Sequence, residues 1–206
     1  MLINKSFCLL AVLFLLAATS SSAFACACCV DPGYYEISTS KPDDYTLSQL
    51  EDIKFDSATN LYMSEAGWDG LRGLDDLVKD EEANKSIDMN IVEAFLNKTW
   101  KLTIKTASGR EGTLVLPMPV SMVKFKVDMH DNEPGTETGL YKEFRFKGRV
   151  GSSTGFLKRG IVRPTTYFLV FQGRGNGCDS SADFTHWRLE LDGPKAEYAF
   201  YGKVLQ

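Results

Sequence analysis

The amino-acid sequence predicts a mainly β chain: an antiparallel β-sandwich or barrel, with short helices confined to the N-terminal third. Three observations carry this. Apolar and polar residues alternate strictly over Thr99–Thr106, Met122–Asp128 and Phe184–Leu191, the period of a half-buried strand. Polar, Gly- or Pro-bearing turns recur at short spacing from Asn97 onward, the rhythm of sandwiches and barrels. Helices are expected only before residue 80, since Ile87–Leu96, whose spacing fits either helix or strand, leans to strand.

The N-terminus reads as a secretory signal peptide over residues 1–25. Lys5 precedes an apolar run from Phe7 to Ala18, and Ala23-Phe24-Ala25 supplies a small-x-small cleavage site before Cys26. The run is shorter than the ~20 apolar residues that a membrane-spanning helix needs. The expected destination is periplasmic or secreted. Bacterial lipoproteins are also cut before a cysteine, at a signal resembling Leu-(Ala/Ser)-(Gly/Ala)-Cys. Ala23 and Phe24 depart from that pattern, so membrane attachment is expected only if Cys26 is lipidated.

Residues 26–206 are long enough for a single β-rich domain with its own core, and no linker divides them. The formal net charge of −4 becomes more negative once Lys5 is removed, so no footprint for nucleic acid is expected. Residues 26–45 form an irregular N-terminal arm, punctuated by Asp31-Pro32-Gly33 and Lys41-Pro42, with a short strand at Tyr34–Ile37. Leu47, Leu50 and Ile53 give a short helix that Thr46 could cap. A strand at Leu61–Met63 and a helix around Leu71–Val78 follow.

From residue 86 the reading is of strands. Ile87–Leu96 leans to strand because Asn97-Lys98 makes a turn, and Thr99–Thr106 returns with Trp100, Leu102 and Ile104 on one face. Ser108–Gly112 turns into Thr113–Leu116, which Pro117 and Pro119 end. Met122–Asp128 is expected to point Val123, Phe125 and Val127 inward and Lys124 and Lys126 outward. After a polar loop, Leu140–Val150 is a strand, and Gly151–Gly155 is a turn. Gly160–Val162, Thr165–Gln172, Phe184–Leu191 and Glu197–Val204 complete the set. The ordering resembles a small up-and-down barrel of the lipocalin kind, with Trp100 on an opening strand. That family carries Gly-x-Trp where this chain has Lys98-Thr99-Trp100, and the resemblance implies an internal ligand cavity.

The hairpin Tyr167–Leu191 carries most of the chemistry. Trp187, Leu189 and Leu191 point one way and His186, Arg188 and Glu190 the other. Its loop, Gly173-Arg174-Gly175-Asn176-Gly177-Cys178-Asp179, could form a backbone nest for an anion beside Arg174, or simply supply positive φ. Arg174, Asn176, Asp179 and His186 are the candidate ligand-binding residues. Cys178 is the sole cysteine beyond position 29, and in an oxidising compartment it is expected to pair with Cys28 or Cys29.

Three functional classes follow. The first is an exported, non-enzymatic domain that binds a small molecule or a surface component, without a cofactor. The second is a copper- or zinc-handling protein, in which Cys26, Cys28 and Cys29, with His130 or His186, supply the ligands. The third is a hydrolase built on Asp128 with His130, or on Cys178, His186 and Asp179 or Asp183. No Gly-x-Ser-x-Gly nucleophile turn accompanies these groups.

Overall fold

The structure is a computed structural model that describes residues 28–64, 67, 70–71, 86–129 and 139–205. One antiparallel sheet holds β1 (Tyr35–Ser40), β2 (Phe55–Met63), β3 (Ser86–Leu96), β4 (Thr99–Lys105), β5 (Glu111–Pro117), β6 (Met122–Asp128), β7 (Leu140–Arg149), β8 (Ser152–Gly155), β9 (Thr166–Gly175), β10 (Phe184–Gly193) and β11 (Ala196–Val204). The order across the sheet is β1-β6-β7-β9-β10-β11-β2-β3-β4-β5-β8. Helix α1 (Asp44–Asp52) precedes β2. The fold is therefore mainly β, a sheet curled into a half-barrel, as the alternation predicts.

The curl is set by aromatic residues on the concave face. Trp100 of β4 and Phe146 of β7 stand far apart in the sheet order, yet their rings meet at 4.9 Å across the interior. Trp100 also reaches Phe171 at 6.2 Å, and Phe55 stacks on Trp187 at 4.3 Å. Trp100, Phe146, Phe171 and Trp187 are fully buried, so these rings fill the centre of the concavity, where a lipocalin-like barrel would have its ligand space. The chain also ties the far edge back: it leaves β7 at Val150-Gly151 and enters β8 beside β5, where Gly151 N–H donates to Val115 C=O at 2.8 Å. From β9, the Tyr167 hydroxyl donates to the Pro117 carbonyl at 2.6 Å.

Local chemistry explains most boundaries. Asn97 and Lys98 both adopt positive φ, 51° and 57°, which the two-residue turn of a tight hairpin needs. Asp43, not Thr46, caps α1: its Oδ1 accepts from Thr46 N–H at 2.7 Å. Thr46 is buried, and its hydroxyl accepts from Lys124 Nζ at 3.2 Å instead. Leu50 and Ile53 then bury into the core. Gly151–Gly155 is not a simple turn, because residues 152–155 pair with β5. Gly160–Val162 is not a strand. A 3-10 turn at Phe156–Arg159 buries Leu157, and the N–H groups of Ile161 and Val162 donate locally, to the Leu157 and Gly160 carbonyls at 3.0 Å each. Of the expected helix around Leu71–Val78, Gly67, Gly70 and Leu71 are helical and residues 72–78 lie outside the described residues.

The facing of β6 is opposite to the expected one. Met122, Lys124, Lys126 and Asp128 lie on the inner side, and Val123, Phe125 and Val127 on the outer. The cause is a buried charge cluster. Asp179 takes Lys124 Nζ at 2.7 Å on one carboxylate oxygen and Lys126 Nζ at 2.8 Å on the other. Lys126 also donates to the Gly177 carbonyl at 2.8 Å and lies 3.8 Å from Glu36 of β1. Next to them the fully buried Lys142 reaches Asp183 at 2.5 Å and donates to the Cys178 carbonyl. Burial pulls the Lys142 pKa down, against the opposing pull of Asp183. Burial pushes the Asp179 carboxyl up, but the hydrogen bonds and charges of Lys124 and Lys126 outweigh it and hold it below the usual range.

The arm is fastened over this cluster. Cys28 is bonded to Cys178, which selects between the two expected partners. Gly177 N–H donates to Cys28 C=O at 2.7 Å, and Gly33 N–H to Asp128 Oδ2 at 2.8 Å. Cys29 is exposed.

Three outcomes follow from this packing. Trp187→Ala should cost about 3–5 kcal/mol in urea denaturation, the range for a buried large aromatic. Cys178→Ser should lower Tm and open the arm to protease. The chain-entropy model gives about 5 kcal/mol for a closure of this length as an upper figure, and unchanged proteolysis would contradict it. Asp179→Asn should destabilise by about 3–5 kcal/mol, because Lys124 and Lys126 lose their common partner. With its pKa depressed in the fold, Asp179 contributes stability above its ordinary value of 3.8, and that stability is lost as pH falls through the lower folded value. Acid unfolding of the wild type should therefore include this loss, and Asp179→Asn should lack it.

Candidate functional site on the convex face

Because β6 faces as it does, its apolar residues arrive on the convex side of the sheet. The cross-strand register places Ile37, Phe125, Glu143, Gln172, His186 and Lys203 in one row across β1, β6, β7, β9, β10 and β11. A neighbouring row runs Tyr35, Val127, Tyr141 and Arg174. Tyr35 and Ile37 are 59% and 55% exposed, far more than a core strand would leave. The rings touch in sequence: Tyr35 to Phe125 at 5.9 Å, Phe125 to Tyr141 at 6.2 Å, both edge-on, and His186 stacked on Tyr201 at 5.6 Å.

Between Tyr141 and His186 the face dips into an open cleft of about 390 Å³, bordered by Tyr141, Gln172, Arg174, Asp183, Thr185 and His186 among others. Gly173 forms its floor, where a Cβ would meet the Asp183 carbonyl at 1.8 Å, so only glycine lets β9 approach that closely. The exposed Arg174 guanidinium has no hydrogen bond or ion pair among the described residues. The Thr185 hydroxyl lies 2.9 Å from His186 Nδ1. Glu143 organises the wall: the Tyr141 hydroxyl donates to it at 2.5 Å, and Arg145 Nε pairs with its other oxygen. Burial, with Glu143 beside it, pushes the Tyr141 pKa up to about 12, so the phenol stays neutral.

Two guanidiniums lie against rings on the same face. Arg145 sits over Phe125 at 4.6 Å, and Arg188 over Phe168 at 5.8 Å. Their stems cover Val170, which is buried although it points away from the core cluster. Arg188 lies 2.9 Å from Glu190.

The sequence-derived site residues divide between two faces. Arg174 and His186 meet in the convex cleft. Asp179 is on the other side, held by Lys124 and Lys126, and Asn176 Oδ1 accepts from Cys178 N–H at 3.0 Å in a local turn. The glycines of the loop do not form an anion nest and do not use positive φ. Gly175 would strike the Asp183 carboxylate and Gly177 the Cys28 carbonyl, so they permit close packing. The Cys178 sulfur is bonded to Cys28, which leaves no thiol there to act as a nucleophile; Asp179 does not share a face with His186, and Asp183 borders the cleft with His186 but pairs with Lys142. Cys28 is likewise bonded, while Cys26 and His130 lie outside the described residues. Among the described residues no group of His, Cys, Asp and Glu is placed to hold a metal ion. Tyr35, Phe125, Tyr141, Glu143 and Gln172 were not singled out from sequence. The alternation of Tyr141, Glu143 and Arg145 along one strand is the signal that points to them.

Set beside protein-family models, curated proteins and solved structures, the chain matches none of them.

Proposed function

We propose that this is an exported, non-enzymatic binding domain that engages a ligand or surface component through the convex face of β1, β6, β7, β9 and β10. The observation that carries this is the cleft beside Tyr141, where a guanidinium without a partner among the described residues, an imidazole and an amide converge next to exposed rings. Exposed aromatic groups with a few convergent polar groups are the composition of a recognition surface. The two polar clusters support the same reading by their difference. The charges near Asp179 neutralise one another in the interior and brace the arm, whereas Arg174 is left to solvent. Export is supported by the leader-like N-terminus and by the Cys28–Cys178 bond, which persists in oxidising compartments.

The test is co-sedimentation of the purified protein with envelope material from the cells that export it. Ile37→Asp and Arg174→Gln alter exposed groups and should keep the wild-type circular dichroism spectrum and Tm. Each should weaken binding by about tenfold, the scale of one charged hydrogen bond or one anchor side chain. Binding that is unchanged in both variants would refute the assignment of this face.

A further inference from the structure

We propose that the occupant of this face is an extended acidic polysaccharide, lying across the strands from Tyr35 to Tyr201 with a carboxylate or sulfate group at Arg174. The inference rests on the reading of the convex face as the binding surface and supplies its ligand class.

The shape comes first. Tyr35, Phe125 and Tyr141 lead to the cleft, and His186 and Tyr201 continue beyond it. The track crosses β1, β6, β7, β9, β10 and β11, which at the usual strand spacing spans about 24 Å. That is a line of several ring-sized sites across an open surface, suited to a chain rather than to a single enclosed molecule. A globular partner calls for a broad apolar core to the interface. Here the rings are interleaved with Glu143, Gln172, Arg145 and Arg174 at every step.

The chemistry is that of a sugar polymer. One face of a pyranose ring presents C–H groups that stack on aromatic rings, and its rim presents hydroxyls that both donate and accept. Gln172 offers both an acceptor and donors, and His186 adds a further ring nitrogen. Rings and amides in alternation match that pattern.

Charge selects an acidic polymer. The chain carries a formal net charge of −4, yet along the track Arg145, Arg174, Arg188 and Lys203 stand against Glu143 and Glu190, and Asp183, which borders the cleft, is paired with Lys142. Arg145 and Arg188 are committed to those two carboxylates. Arg174 is not, and its planar fork matches a carboxylate or sulfate with two parallel hydrogen bonds.

The experiment is calorimetric titration of the protein with oligogalacturonate, a sulfated glycosaminoglycan and a neutral cello-oligosaccharide, with single-stranded DNA as a non-saccharide polyanion. Binding to at least one acidic saccharide is expected, stronger for longer chains, and weakened by added salt and by Arg174→Gln about tenfold. Tyr141→Ala should weaken it too, while Tyr141→Phe should keep most of it because the ring face remains. The acidic oligosaccharide should also compete the protein off envelope material. Equal affinity for the neutral oligomer, preference for DNA, or indifference to both Arg174→Gln and Tyr141→Ala would overturn the proposal. If no saccharide binds or competes while Ile37→Asp still weakens envelope binding, the polysaccharide is wrong and the face assignment stands. If Ile37→Asp and Arg174→Gln change nothing on envelope material, the face assignment itself fails.

Discussion

The carboxylate of Asp179 receives an ammonium on each oxygen, from Lys124 and from Lys126, and much of the molecule's asymmetry follows from that arrangement. Both lysines sit on β6, two residues apart and therefore on one face. Once their charges are satisfied on the inner side, Val123, Phe125 and Val127 must face outward, because side chains alternate along a strand. Burying ammonium groups is costly without close partners. Here Asp179, Glu36, Asp183 and the carbonyls of Gly177 and Cys178 supply them. The loop that provides Asp179 is pinned by Cys178, so the disulfide and the ion cluster position the same segment from two sides.

The sheet thus has two regimes. From β7 to β5 through β11 and β2, the concave face is a buried aromatic core in which Trp100, Phe146 and Phe171 meet across the interior and Trp187 stacks on Phe55. At β6 and β1, beyond the curl, that core runs out. The inner side there is lined by polar groups from α1, the arm and the 177–183 loop. Apolar residues displaced from the inside reappear on the convex side next to Tyr141 and Arg145. The proposed binding face is therefore a by-product of where the aromatic core stops and the charge cluster begins.

The two polar regions also differ in what they can do. The Asp179 cluster is closed: its oxygens and ammonium groups answer one another, which fixes geometry and leaves little capacity for a ligand. The convex cleft is open, and Glu143 orients the Tyr141 phenol and the Arg145 guanidinium without engaging Arg174. A prearranged wall with one charge that has no partner among the described residues favours recognition over internal stability.

Local sequence determined a good deal. Alternation at Thr99–Thr106 and Phe184–Leu191 fixed which side chains enter the core, since one dominant apolar face decides a strand's facing. Asn97-Lys98 fixed a hairpin, and the isolated Cys178 could meet only the N-terminal cysteines. Local pattern misjudged β6 because Val123, Phe125 and Val127 alternate as well as any core strand. Only the tertiary structure decided that Asp179, 55 residues beyond Lys124, would hold Lys124 and Lys126 inside. It likewise decided that Arg174 and His186 would share a cleft with Tyr141 while Asp179 would not, because β9 pairs with both β7 and β10 and the loop carrying Asp179 folds back beneath them. The physical reason is the range of the information: hydrophobic period is written within a strand, whereas the partner of a charge is set by which distant segments the sheet brings together.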